Sequence, residues 1–483
     1  MSVKLVAGVD SSTQACKIMI RDLHTGKLVR SGIARHRAGT EISPDMWLVA
    51  FRSALEQAGG LQDVVALSIG GQQHGMVALD EYGQTVRDAI LWNDTRSAAD
   101  ACDLIKEVAS TEAGGREFWA REVGTVPVAS LTVSKVRWMA REEPQNIAKT
   151  RAIALPHDWL TWKITGQTEL DELYTDRSEA SGTGYFSPLD NSYKPELLKL
   201  AAGDYAENIF LPKVAKPNQV VREAKIASYK VLVGPGCGDN AGAALGLGLE
   251  PGEVAMSLGT SGVVSTISND PTQDITGYVC GFADATGRAL PLACTLNASR
   301  VIDHFRNILG LSYEEFSSAA LAAPPGAEGL IVIPYFAGER TPNFPTATGS
   351  LLGINSRNLT KENIARAAIE GVLCGVGAGI NAMRNIGVAV ERITLIGGSS
   401  QGEAIRKIAP AVLGLPVNVP EFGEYVADGA AKQAAWIYAG DEYAAAWAPL
   451  LTSEYSSAHI PFVMERYEEA RNNFVCEERE IYL

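Results

Sequence analysis

A few short stretches hold the residue types that chemistry needs. In VLVGPGCGDNAGAALGLG, Val231–Gly248, the pair Asp239-Asn240 sits among glycines where an apolar run hands over to an Ala/Gly helix. Asp is among the best helix N-cap residues, so one reading of Asp239 is a cap. The other is a carboxylate facing a cleft and meeting a substrate hydroxyl, with the glycines leaving it room. Asp10 ends an apolar stretch immediately before Ser11-Ser12-Thr13-Gln14. Beside a phosphate-binding turn a carboxylate is repelled unless a divalent cation lies between them. Asp10 is therefore a candidate for holding Mg2+, directly or through water, against the alternative of an Asx-type turn residue.

In GGQQHGM, Gly70–Met76, Gln73 and His74 offer both donors and acceptors, which suits a polyhydroxyl ligand. A plain surface loop is the alternative. ILWND, Ile90–Asp94, adds Trp92 beside polar groups, a sugar-site composition, against a core Trp92 with Asn93-Asp94 opening a helix. In LIGGSSQGE, Leu395–Glu403, Gly397-Gly398 permits close approach of a base or phosphates, with a helix N-terminus behind. Neither a G-x-x-x-x-G-K-[ST] loop nor a strict G-x-G-x-x-G after a strand is present.

The elements that must position these groups alternate between strand and helix patterns, an α/β signature. Val3–Val9 and Cys16–Ile20 flank a polar tip and predict a β-hairpin. After Ser43-Pro44, a cap and first-turn pair, Trp47, Ala50, Phe51, Ala54, Leu55 and Ala58 recur at helical spacing until Gly59-Gly60. VVALSIG predicts a buried strand, GGQQHG a tight loop and MVALD the next strand. Half a chain later EVAMSLGTSGVVSTIS, Glu253–Ser268, predicts a second hairpin, and its tip Gly259–Ser261 matches the chemistry of Ser11–Thr13. Such tips form anion nests without lysines; the alternative is an ordinary polar turn. The pattern predicts two related α/β domains, each offering one hydroxyl/glycine tip to a shared cleft, with a boundary near Leu247–Pro251. The segment around Pro324 reads as a loop.

Length and composition bound the possibilities. A chain of 483 residues with 46% hydrophobic and 20% charged residues suits two large globular domains. The net charge of -14 leaves no basic surplus for nucleic acid or an anionic membrane. Seven scattered cysteines (Cys16, Cys102, Cys237, Cys280, Cys294, Cys374 and Cys476) without C-x-x-C suggest neither a disulfide framework nor a cysteine zinc site. The six histidines show no H-x-x-x-H spacing. The N-terminal apolar stretch falls short of the ~7–15 residues of a signal core. The run from Ala367 to Met383 holds Glu370 and falls short of the ~18–20 residues of a membrane span. A reduced, cytoplasmic protein is expected.

Together these stretches resemble the FGGY family of carbohydrate kinases over nearly the whole chain. SLTVSKVRWMARE, Ser130–Glu142, fits its first signature, with Lys135 and Trp138 in place, and GSLLGINSRNLTKENIARAAIE, Gly349–Glu370, fits the second. GQQHG, WND, GCGDNAG, SLGTSG and GERTP (Gly338–Pro342) are similar to the versions in kinases of five-carbon ketoses. The resemblance implies two duplicated actin-like (ribonuclease H-like) ATPase domains with a cleft between them. Residues 1–248 would hold the sugar site, the first phosphate hairpin and the catalytic Asp, and residues 249–483 the nucleotide site. It implies transfer of the ATP γ-phosphoryl group, with Mg2+, to a ketopentose: D-xylulose giving D-xylulose 5-phosphate, with ribulose, glycerol or gluconate as alternative acceptors. Cleft closure on sugar and ATP would exclude water.

Carried over by position, Asp239 matches the catalytic base and Asn240 its sugar-binding neighbour. Gln73 and His74 match ketose contacts, where a glycerol-type site would have an Arg-Glu pair. Asp10 and Thr13 match the metal and phosphate hairpin, and Gly259-Thr260 the second hairpin. Asn297, Gly398, Ser399 and Gly402 fall near nucleotide positions. Departures are Ser12 where many members have glycine, the turn GGSSQG, and VADGAAKQAA from Val426. A carboxylate base is weak for an alcohol, but a loose phosphoryl-transfer transition state asks mainly for positioning and late proton acceptance. The partners implied are the sugar and ATP, with no nucleic acid or membrane and a homodimer as an open option. A non-catalytic actin-like nucleotide switch is the alternative of another class. The glycine-rich helix around Gly371–Gly379 reads as either a hinge or a plain core helix.

Overall fold

The computed structural model describes residues 4–342, 344, 346–440, 444, 447, 448, 450 and 452–475; Val3 and Cys476 lie outside the described residues. Two compact units divide the chain. One comprises Met1–Leu249, Asn269–Leu290 and Gly423–Pro449, the other Glu250–Ser268, Pro291–Phe422 and Leu450–Leu483.

In the first unit the expected hairpin is β1 (Leu5–Ser11) and β2 (Ala15–Asp22), continued antiparallel by β3 (Leu28–Arg35). Successive β1 side chains enter opposite layers, as the two-residue period of a strand requires. Leu5, Ala7 and Val9 join a core with Trp47, Phe51, Leu67 and Trp159. Val6 joins a second core with Ala431, Ala434 and Ile437. Burial on both faces is why this strand reads as a nearly unbroken apolar run.

The helix α1 (Asp45–Gln57) buries Trp47, Ala50, Phe51, Ala54 and Leu55, as its periodicity predicts. Its start differs from the expected cap pair. Pro44 occupies the capping position with a helical backbone, so no side chain caps this end; the Ser43 carbonyl accepts from the Met46 N–H at 3.0 Å instead.

Next, β4 (Val64–Gly71) pairs parallel with β1. The chain passes through α2 (Thr132–Glu142), α3 (Pro156–Ile164) and α4 (Arg177–Ser181). It returns as β5 (Arg222–Ile226), β6 (Tyr229–Val233), the short β7 (Cys237–Gly238) and α5 (Asp239–Leu247). The sheet order is β5-β6-β4-β1-β2-β3, with β7 also paired to β4.

The second unit repeats this grammar. A hairpin of β8 (Gly252–Leu258) and β9 (Gly262–Thr266) is joined antiparallel by β10 (Ala289–Thr295). After α6 (Lys361–Asn385), β11 (Val390–Ile396) pairs parallel with β8. Then come α7 (Glu403–Leu413) and β12 (Val417–Pro420), parallel to β11. Next, α8 (Tyr425–Ala439) returns to the first unit, before β13 (Thr452–Tyr455) pairs antiparallel with β12. Read from β3 in one sheet and β10 in the other, both sheets run antiparallel, antiparallel, parallel, parallel, antiparallel. The duplicated α/β architecture is thus present in the pairing itself.

Small residues allow α8 to lie directly on its sheet and on α5. A Cβ added at Gly8 would sit 1.8 Å from the Ala427 carbonyl oxygen, and one at Gly429 would sit 1.9 Å from that of Gly242. In the second unit α6 is 25 residues long, and by length and hydropathy it could cross a membrane, yet 89% of its apolar window is buried. Its Arg366 and Glu370 pair at 2.6 Å. A Cβ at Gly371 would meet the Val332 carbonyl oxygen at 2.3 Å, the packing of a core helix.

Candidate active site

Asp10, the loop after β4 and Asp239 leave the first sheet side by side. Asp10 and Cys237 both lie opposite Gly70, and Ser11 and Gly238 both lie opposite Gly71, all in parallel register. These are the carboxyl ends of adjacent parallel strands, where open α/β sheets hold ligands. Two strand spacings of about 4.8 Å separate the outer pair.

Gly238 holds the capping position of α5, and Asp239 is its first helical residue rather than its cap. Asp239 Oδ1 accepts from the backbone N–H and from Nδ2 of Asn240, both at 2.8 Å. Burial pushes the Asp239 carboxyl up to about 7, against the Asn240 bonds that pull it down; the charge of Asp10 adds to the rise. Burial also pushes Asp10 up to about 6, opposed by Lys17 and reinforced by Glu424. Lys17 lies opposite Asp10 across the hairpin, its Nζ 3.3 Å from Asp10 Oδ2 and 2.5 Å from Glu424 Oε2.

Around the first tip, buried Asp10 Oδ1, Ser11 Oγ and Gln72 Nε2 have no hydrogen-bond partner. Buried polar atoms are ordinarily paired, so an unpaired group of this kind fits a ligand. A lone carboxylate oxygen beside a hydroxyl and an amide suits one Mg2+ shared with phosphate oxygens. No cluster of three or more His, Cys, Asp or Glu able to hold a metal occurs among the described residues. Thr13 Oγ1 accepts from Trp92 Nε1 at 3.0 Å, so the Trp92 indole steadies the tip through its N–H.

Gln73 and His74 are buried rather than placed on a surface loop. Gln73 Nε2 donates to the Ser178 carbonyl at 2.9 Å, and a Cβ at Gly238 would strike the Gln73 side chain at 2.7 Å. His74 has φ of 68°, a left-handed backbone uncommon for a non-glycine and frequent at functional sites. Its Nδ1 bonds to the Gly182 carbonyl at 2.8 Å, which places the neutral-ring proton on Nδ1. Its own carbonyl accepts from Thr132 Oγ1 at 3.2 Å and Lys135 Nζ at 3.1 Å. The α2 signature thus supports the loop. Trp138 lies under the Arg96 guanidinium at 5.0 Å from the ring centroid.

In the second unit the tip Gly259-Thr260 accepts at both carbonyls, from the N–H of Ser299 at 2.9 Å and of Ala298 at 3.2 Å. Thr260 is exposed. Ser257 at the end of β8 lies opposite Ile396 at the end of β11. The turn Gly397–Gly402 therefore stands beside this tip. Gly397 has φ of 87°, and a Cβ there would lie 2.8 Å from Leu258 backbone, so only glycine fits. Around Gly398 the space is open. Asn297 is buried, and its Nδ2 donates to the Gly338 carbonyl at 2.7 Å and Glu339 Oε2 at 3.0 Å, while its Oδ1 accepts from the Ala337 N–H at 3.3 Å. Its amide holds the GERTP loop.

Lys17, Gln72, Asp176 and Ser178 stand at the candidate site, and the sequence reading passed over them. Lys17 was legible from the hairpin, since equal counting from the tip sets it opposite Asp10. Asp176 caps α4, accepting from the N–H groups of Ser178 and Glu179, a cap visible in TDRSEAS. The bonds that tie α4 to the site have no sequence signal.

Residues 5–246 match the N-terminal domain, and residues 254–438 the C-terminal domain, of the FGGY family of carbohydrate kinases. The chain is 42% identical to a xylulose kinase of Streptomyces rubiginosus over 91% of its length and 89% of that protein. Among solved structures, a xylulose kinase from Bifidobacterium adolescentis superposes with a TM-score of 0.90 at 46% identity, covering 97% of this chain and 99% of the other. Plasmodium falciparum glycerol kinase with ADP, at 16% identity, shares the fold with a TM-score of 0.83 over 98% and 99% of the two chains.

Proposed function

The chain belongs to the FGGY family of carbohydrate kinases, and from that premise we propose that it transfers the γ-phosphoryl group of ATP to D-xylulose, giving D-xylulose 5-phosphate. The observation that carries the chemistry is Asp239 at the start of α5, directly after Gly238 packed on the Gln73 side chain, its carboxyl pushed up to about 7. A carboxyl of that strength is a better proton acceptor near neutral pH than an ordinary aspartate. The sugar hydroxyl approaches Asp239 Oδ2 while Asn240 holds Oδ1. Gln73 and His74 orient the ketose by hydrogen bonding to its hydroxyls. Xylulose is favoured among polyols by the relatives at 42% and 46% identity.

Asp10 would hold Mg2+, with Ser11, Thr13 and Gln72 toward the phosphates; a bound ion would supply neutralisation of the developing phosphate charge. Gly259, Thr260, Gly398, Ser399 and Gly402 are assigned to the nucleotide. Asn297, whose amide holds the Gly338-Glu339 loop, is assigned near the nucleotide with them. Cys16, Cys102, Cys237 and Cys374 are free thiols, the usage of a reducing cytoplasm.

ADP release in a coupled assay with Mg·ATP tests the reading, comparing D-xylulose, D-ribulose, L-ribulose, glycerol, gluconate and no sugar. Strong preference for D-xylulose is expected. Preference for another polyol would overturn the roles of Gln73 and His74, and absence of sugar-dependent release would overturn catalysis itself.

A further inference from the structure

Ser178 stands where two parts of the site meet, and we infer that it is the positioning residue that sets the Asp239 turn against the sugar loop. This rests on Asp239 as base and Gln73 as a sugar contact. Ser178 is completely buried in α4. Its Oγ accepts from the N–H of Gly238, the residue immediately before Asp239, at 3.0 Å. Its carbonyl accepts from Gln73 Nε2 at 2.9 Å. One residue therefore bonds the base turn through its side chain and the sugar loop through its main chain.

The direction of the hydroxyl is set from behind. A backbone N–H only donates, so the Ser178 lone pair faces Gly238 and its proton faces Asp176. That proton goes to Asp176 Oδ2 at 2.6 Å, and the same oxygen accepts the Ser178 N–H at 2.8 Å. The other Asp176 oxygen accepts from the Glu179 N–H at 3.1 Å and lies 3.3 Å from His157 Nε2. His157 in turn lies 3.3 Å from Asp158. The Ser178 hydroxyl is thus clamped between a buried polar cluster and the peptide N–H that leads into the base. Nothing in this chain of bonds touches the reacting atoms. Its effect is on where Asp239 stands when the hydroxyl arrives.

Ser178→Ala removes the bond to Gly238 and leaves the carbonyl bond to Gln73 in place. Misplacing a catalytic group by about 1 Å costs on the order of 100-fold. The kcat per folded molecule is therefore expected to fall roughly 10- to 100-fold, with the KM values for sugar and ATP each within about threefold of wild type. A purely structural serine would lower the folded fraction, read by circular dichroism, and leave kcat per folded molecule unchanged. That result, or a loss confined to the ATP KM, overturns the inference. Should the alanine variant not fold, Ser178→Cys decides: a kcat at least about threefold below wild type at unchanged KM supports the inference, and a wild-type kcat overturns it. Rates are compared on whichever acceptor gives the wild type its highest turnover. A wrong choice of sugar then overturns the reading above while this test still stands.

Discussion

Burial pushes the Asp239 carboxyl up to about 7, and Asp10 is pushed up to about 6. A base acts ionised, so kcat/KM for the sugar, which reports the free protein, should rise with pH through about 7 and then level. Below about 6 protonation of Asp10 should weaken the metal as well, steepening the loss. A pH profile of kcat/KM, taken with sugar well below its KM, checks this, and a flat profile from 5 to 8 would remove Asp239 as base. Asp239→Ala should lower kcat roughly 10²–10⁴-fold while ATP binding, read by calorimetry, stays within a few-fold. At this scale the turns that carry Asp10 and Asp239 were legible, because an apolar run ending in a carboxylate before a hydroxyl-rich turn, and an Asp after glycines at the start of an Ala/Gly helix, are visible in one dimension. Their pKa values were not, since burial is a property of the packed site.

The loop that carries Gln73 and His74 is held by α2. Lys135 reaches from α2 to the carbonyl of His74, 61 residues away in sequence, and Thr132 donates to the same oxygen. Two donors on one carbonyl hold His74 in its left-handed backbone. Lys135→Met keeps the buried stem filled but removes a charged donor, and bonds to charged groups contribute about 1.5–3 kcal/mol. The sugar KM should rise roughly tenfold or more with the ATP KM unchanged, measured by steady-state kinetics. Equal rises in both would assign Lys135 to general stability. The signature helix was legible as a pattern, whereas its task was hidden because the acceptor is a main-chain atom that any residue supplies.

For the whole molecule, holding acidic groups ready has a stability consequence. The folded Asp239 carboxyl titrates near 7 and the unfolded one near 3.8. Between those values the folded state binds more protons, so this group makes stability fall as pH rises from about 4 to 7 and level above. Asp239→Asn removes that loss and should stabilise the ligand-free protein by roughly 1–3 kcal/mol at pH 8 and by little at pH 4, read from urea unfolding. No gain at pH 8 would show that the carboxyl is solvated. The sequence by itself determined the two hairpins, the repeated α/β grammar and the turns that carry Asp10 and Asp239, because alternation, turn chemistry and spacing are relations between near neighbours. Tertiary structure alone decided the partners. It turned Asn297 inward onto Gly338 and Glu339, paired Lys17 with Glu424 across 407 residues and laid α8 on Gly8. Hydrogen bonds and close packing are chosen by distance in space, and separation along a chain contains no record of that distance.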